Sequence, residues 1–160
     1  HELTHQVLHE AFRAGGAFDP DAHAWLVEGL AAYAAEWEIG PDGDRLRVVA
    51  ERPVGAATVP GPLVWAAREA ERLPEPAEIV TWGRAAFSEP QAYRVAAAFV
   101  HFLMDGGDPS RRARVATLVS DVHAGRGPAR TLAGVLPGED AAALAAAFRA
   151  FIRESSSEER

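Results

Sequence analysis

The first ten residues, HELTHQVLHE (His1–Glu10), decide how the chain is read. Leu3, Val7, Leu8, Ala11 and Phe12 recur at three- and four-residue intervals, which is the period of an amphipathic α-helix, and Gly15-Gly16 supplies its stop. On such a helix His1 and His5 stand four apart and share a face, with Glu2 one step round the same end. Two imidazoles one turn apart beside a carboxylate make the pattern H-E-x-x-H, which places two metal donors on one side of a helix. The pattern is short enough to arise by chance, so its context has to decide.

Working outward, Asp19-Pro20 offers a cap followed by proline at the first helical position, which opens a second helix running to about Trp37. Trp25, Leu26, Leu30 and Tyr33 form its core stripe. Glu28 sits among Leu26, Leu30 and Ala31, where a carboxylate is disfavoured without a partner. A catalytic zinc takes three protein ligands and leaves a position for water, so two histidines need a third donor, and Glu28 is the candidate. Gly29 beside it would allow close helix approach. The chain has no cysteine, so any metal must be held by imidazole and carboxylate.

Residues 39–62 change character, with Gly40-Pro41-Asp42-Gly43 as turn chemistry, a possible brief strand in RLRVV (45–49) and several prolines, and are read as an irregular connector. Pro62–Leu73 is helical again, and 77–82 adds a short helical turn. The strongest helical pattern is SEPQAYRVAAAFVHFLMDGG (88–107), with a cap-like Ser88, a stripe of Tyr93, Ala96, Ala97, Val100 and Leu103, and two closing glycines. Helices follow at 109–123, near Arg130 and at 140–153, before a polar tail. The expected architecture is mainly α: residues 1–153 form a single helical unit and 154–160 a disordered tail.

The length of 160 residues suits one domain with a sizeable core. All 16 cationic residues are arginines, outnumbered by 23 acidic ones and scattered along the chain, which argues against a nucleic-acid partner. No apolar run approaches the ~20 residues of a membrane span.

His1, Glu2 and His5, followed by Glu28 in WLVEGLAAYAAE (25–36), resemble the gluzincin zinc metallopeptidases, in particular the peptidase MA-like and aminopeptidase N-like groups with their W-x-x-E-G-x-x-x-Y type of segment. The likeness is strong over residues 1–36 and extends weakly through AYRVAAAFVHFL (92–103). Leu8 and Ala11 exclude the metzincin extension, which needs glycine and histidine there, and Ala32 stands where the thermolysin-type branch carries aspartate. The resemblance implies a zincin-like catalytic subdomain: an H-E-x-x-H helix, a glutamate helix packed on it, a C-terminal helical bundle, and a β-rich half upstream of residue 1. It implies one Zn²⁺ held by His1, His5 and Glu28, and hydrolysis of peptide bonds by a metal-bound water activated by Glu2. It points to a peptide or protein substrate and to an extracytoplasmic setting, periplasmic or secreted.

Each role has an alternative. Tyr93 either hydrogen-bonds the oxyanion of the tetrahedral intermediate, as the resemblance implies, or packs at a helix interface. Tyr33 is read as core. His9, four past His5, either approaches the metal or lies beside it. His101, about 80° round the helix from Tyr93, is read as a core or interface histidine, with the cleft as its other placement. His23 and His123 are read as surface residues. For the whole chain the alternatives are a catalytically inactive zincin-like domain that keeps zinc for binding or structure, and a helical interaction module without metal.

Overall fold

A computed structural model of the chain describes residues 1–11, 19, 21–39, 46–48, 51–54 and 57–155. Among them lie eight α-helices: α1 (Glu2–Ala11), α2 (Ala24–Ala35), α3 (Pro62–Arg68), α4 (Pro76–Ile79), α5 (Pro90–Asp105), α6 (Pro109–His123), α7 (Leu132–Val135) and α8 (Ala141–Ser155). The mainly helical reading therefore holds. The connector is more ordered than expected. Its described residues form two antiparallel pairs, β1 (Trp37–Ile39) with β2 (Leu46–Val48) and β3 (Glu51–Val54) with β4 (Ala57–Pro60). Trp37 thus begins a strand instead of ending a helix, and RLRVV does contain one.

Helices α2 and α5 form the centre, packed along each other. Gly29 is the reason they approach so closely, because a Cβ there would lie 2.9 Å from the Ala96 carbonyl oxygen and 3.0 Å from Val100 Cγ2. Gly29→Ala should therefore lower stability by about 1 to 2 kcal/mol in denaturant titration, the overpacking cost outweighing alanine's helical advantage. On α5 the stretch from Val95 to Leu103 is buried on all sides. An aromatic chain of Trp25, Phe99, Phe148 and Phe102, with centroids 5.4 to 5.5 Å apart, ties α2 and α5 to α8.

Three sequence expectations need correction. Helix α2 starts at Ala24, not at the Asp19-Pro20 pair: the Asp19 carboxylate accepts from the Asp21 N–H at 2.9 Å in a local turn, and His23 enters the helix in the left-handed conformation, φ 61°. The Gly15-Gly16 stop lies outside the described residues. Ser88 does not cap α5, since its hydroxyl donates to the Ala85 carbonyl, and Glu89 stands before Pro90 at the helix start. Helix α8 continues through Glu154 and Ser155, whose hydroxyl donates back to the Phe151 carbonyl, so the tail begins later than 154 and its remainder, 156–160, is outside the described residues.

Helix α1 also turns differently from its apolar stripe. Leu3 and Val7 are exposed, and among the described residues of that stripe only Leu8 packs against the core. Its inward side is the 1, 5, 8 row, so the histidines, not the leucine and valine, face α2. No helix among the described residues is long and apolar enough to cross a membrane.

Candidate metal centre

The 1, 5, 8 row puts both imidazoles against the middle of α2, where Glu28 reaches out from beside Gly29. Glu28 Oε2 lies 3.3 Å from His1 Nε2 and 3.3 Å from His5 Nε2. One donor atom from each of the three residues falls within 4.8 Å of the others, and no other group of three such side chains does so among the described residues. The imidazoles meet edge to face, centroids 4.7 Å apart, as two rings converging on one point from adjacent turns do. Exposure falls from 33% for the His1 side chain through 25% for His5 to 14% for Glu28, so the carboxylate forms the floor and the histidines the rim.

The trio opens on a cleft of about 410 Å³. Glu2 stands at its mouth with a side chain 91% exposed, its Oε1 accepting from His1 Nδ1 at 3.0 Å. That contact fixes the ring so that Nε2 is the atom turned to Glu28. Tyr93 forms part of the wall, its ring 5.8 Å from His1 and 5.0 Å from Phe87. Among the described residues no group bonds its hydroxyl. His9 also lines the cleft, one turn beyond the trio and outside it. A larger cleft of about 640 Å³ lies between Trp65, Trp82 and Leu73, but none of His1, His5 and Glu28 lines it.

The reading of His23 and His123 as surface residues is wrong for both. His23 is buried and donates from Nε2 to the Pro128 carbonyl at 2.8 Å. Burial pulls its pKa below the ordinary value, with Arg130 nearby acting in the same direction and the Pro128 bond opposing. His123 is buried at the end of α6, donates from Nδ1 to the Val119 carbonyl at 2.8 Å, and lines the cleft. Arg84, at the start of the 3-10 turn Arg84–Ser88, lines it too. Sequence reasoning missed both residues as members of the cleft.

His101 and Tyr33 stand apart from this centre. His101 is buried between Asp105, reached by Nδ1 at 3.0 Å, and Glu36, reached by Nε2 at 3.2 Å. Tyr33 stacks edge to face on it at 4.5 Å and donates to Asp105 at 3.4 Å, its hydroxyl pushed up to about 12 by burial and then by the Asp105 charge. Burial pulls the His101 pKa down, but the bonds to Asp105 and Glu36 and their charges outweigh it, so it ends above its ordinary value. The protonated form therefore stabilises the fold. Its contribution is complete below the unfolded value, about 6.5, and is lost as pH rises through the raised folded value. Thermal midpoints should fall over that interval, and His101→Gln should flatten the trend while costing about 1.5 to 3 kcal/mol, the scale of a lost hydrogen bond to a charged group.

Set beside protein-family models, curated proteins and solved structures, the chain matches none of them.

Proposed function

We propose that the chain is a zinc-dependent metallopeptidase domain in which His1, His5 and Glu28 hold one Zn²⁺. The observation that carries this reading is the pair of 3.3 Å separations from one carboxylate oxygen to two imidazole nitrogens. Ligands at ~2.0 to 2.1 Å from a tetrahedral ion are about 3.3 to 3.4 Å apart, whereas a charge-assisted N–H···O bond closes to about 2.7 to 2.9 Å. Both imidazole–carboxylate separations match the edge of such a tetrahedron, and all three donor atoms lie within 4.8 Å of one another. Imidazole and carboxylate are also the ligand types that suit this ion.

When bound, zinc supplies a Lewis acid for the substrate carbonyl and acidifies water toward neutral pH. The chain's own groups do the rest. Glu2 takes a proton from water in the cleft and delivers it to the leaving amine; its exposure leaves the carboxylate free to swing off His1 Nδ1 for that purpose. Tyr93, with its hydroxyl unengaged beside His1, donates to the oxygen on which charge develops.

A second reading, a zinc-holding domain without turnover, draws on the same Glu2–His1 contact, because a carboxylate orienting a ligand imidazole is also the arrangement of a purely metal-binding centre. A quenched-fluorescence peptide library separates the two. The peptidase should cleave members of the library, lose activity to a zinc chelator and regain it with one equivalent of zinc. Stoichiometric zinc with no cleavage of any member would favour the second reading.

A further inference from the structure

We infer that Arg84 receives a carboxylate of the substrate, so that the cleft selects peptides carrying a negative charge close to the bond that is cut. The substrate class rests on the peptidase reading; the charge preference rests on Arg84 itself. Among the described residues of this acidic chain the arginines are mostly engaged. Arg111 pairs with Glu139 at 2.7 Å, Arg149 with Glu75, Arg153 with Glu71, and Arg114 donates to the carbonyls of Val135 and Gly134. Arg84, an exposed residue lining the cleft, makes no ion pair or hydrogen bond through its guanidinium among the described residues.

Its backbone, by contrast, is held. The Arg84 N–H donates to Asp21 Oδ1 at 2.6 Å, and Gly83 lets the chain pass so close that a Cβ there would lie 2.8 Å from the same oxygen. Asp21 is thereby committed to the backbone. A fixed backbone carrying an unengaged, permanently charged fork suits reception of a carboxylate in two parallel bonds. A cleft of about 410 Å³, if roughly equidimensional, is about 9 Å across, or two to three residues of extended chain. The carboxylate therefore lies within about three residues of the scissile bond. It is either the α-carboxylate of the peptide's C-terminus or an acidic side chain.

The test uses four forms of one cleavable peptide: free C-terminal acid, C-terminal amide, amide with an internal glutamate, and amide with glutamine in its place. Zinc-loaded wild type should prefer the charged member of one pair by about tenfold to a hundredfold in kcat/KM, the scale of a hydrogen bond to a charged group. Which pair shows the preference identifies the source of the carboxylate. In Arg84→Gln the ratio should fall to about one at unchanged zinc content, while Arg84→Lys retains part of it. Equal rates within both pairs of the wild type, or a preference that survives Arg84→Gln, would overturn the inference. If zinc binds but no peptide is cut, the peptidase reading fails by itself. Calorimetric binding of the same four peptides then decides: a charge preference lost in Arg84→Gln upholds the role of Arg84, and equal affinities end it.

Discussion

Replacing Glu28 by glutamine is expected to lower zinc affinity by more than a hundredfold, beyond the ~10- to 100-fold cost of losing an outer-shell partner, and to abolish hydrolysis with it. The substitution keeps the shape of the side chain and removes the charge that the two imidazoles share and a divalent ion would require. Glu28 contributes the one anionic donor of the trio, and its oxygen is the point at which both histidines converge. The side chain is 14% exposed and lines the cleft, so the fold should change by no more than about 1 kcal/mol. Zinc titration against a competing chelator, alongside a denaturant melt, checks both halves of the expectation. Affinity within threefold of wild type would remove Glu28 from the ligand set.

The second large effect is that of Glu2→Gln. If Glu2 moves the proton, kcat should fall by about 10²- to 10⁴-fold, because glutamine cannot accept one. Zinc content should persist, since the glutamine oxygen can still accept from His1 Nδ1, where the Glu2 carboxylate lies at 3.0 Å. The two possible duties of Glu2 thus come apart. A variant that loses zinc and turnover together would make Glu2 a positioning residue for His1, and retained turnover would exclude it from proton transfer.

The centre was legible because its elements are local. His1 and His5 converge through helical period alone, and Glu28 stands out as a lone carboxylate in an otherwise apolar helix. Gly29 was readable for the same reason, and the contact with Ala96 shows what its missing side chain makes room for. What sequence could not give depends on distant partners. His23 is buried because a left-handed turn aims it at Pro128, 105 residues away, and no periodicity encodes that. His123 and Arg84 reach the cleft only through the packing of α6 and of the Arg84–Ser88 turn against α5. The apolar row of α1 misled because Leu3 and Val7 have the right spacing for a core face, yet α2 receives the histidine row instead. Helix ends differ from the sequence expectation at Asp19 and Ser88, whose side chains make local bonds outside the helices they precede.

The most direct measurement is zinc X-ray absorption on protein loaded with one equivalent of the metal. It should show two imidazole nitrogens at ~2.0 to 2.1 Å with carboxylate oxygen completing the protein ligands, and the spectrum should change in both His5→Ala and Glu28→Gln. Failure to retain one zinc per chain, or a spectrum indifferent to both substitutions, would contradict the assignment of this trio as the metal centre.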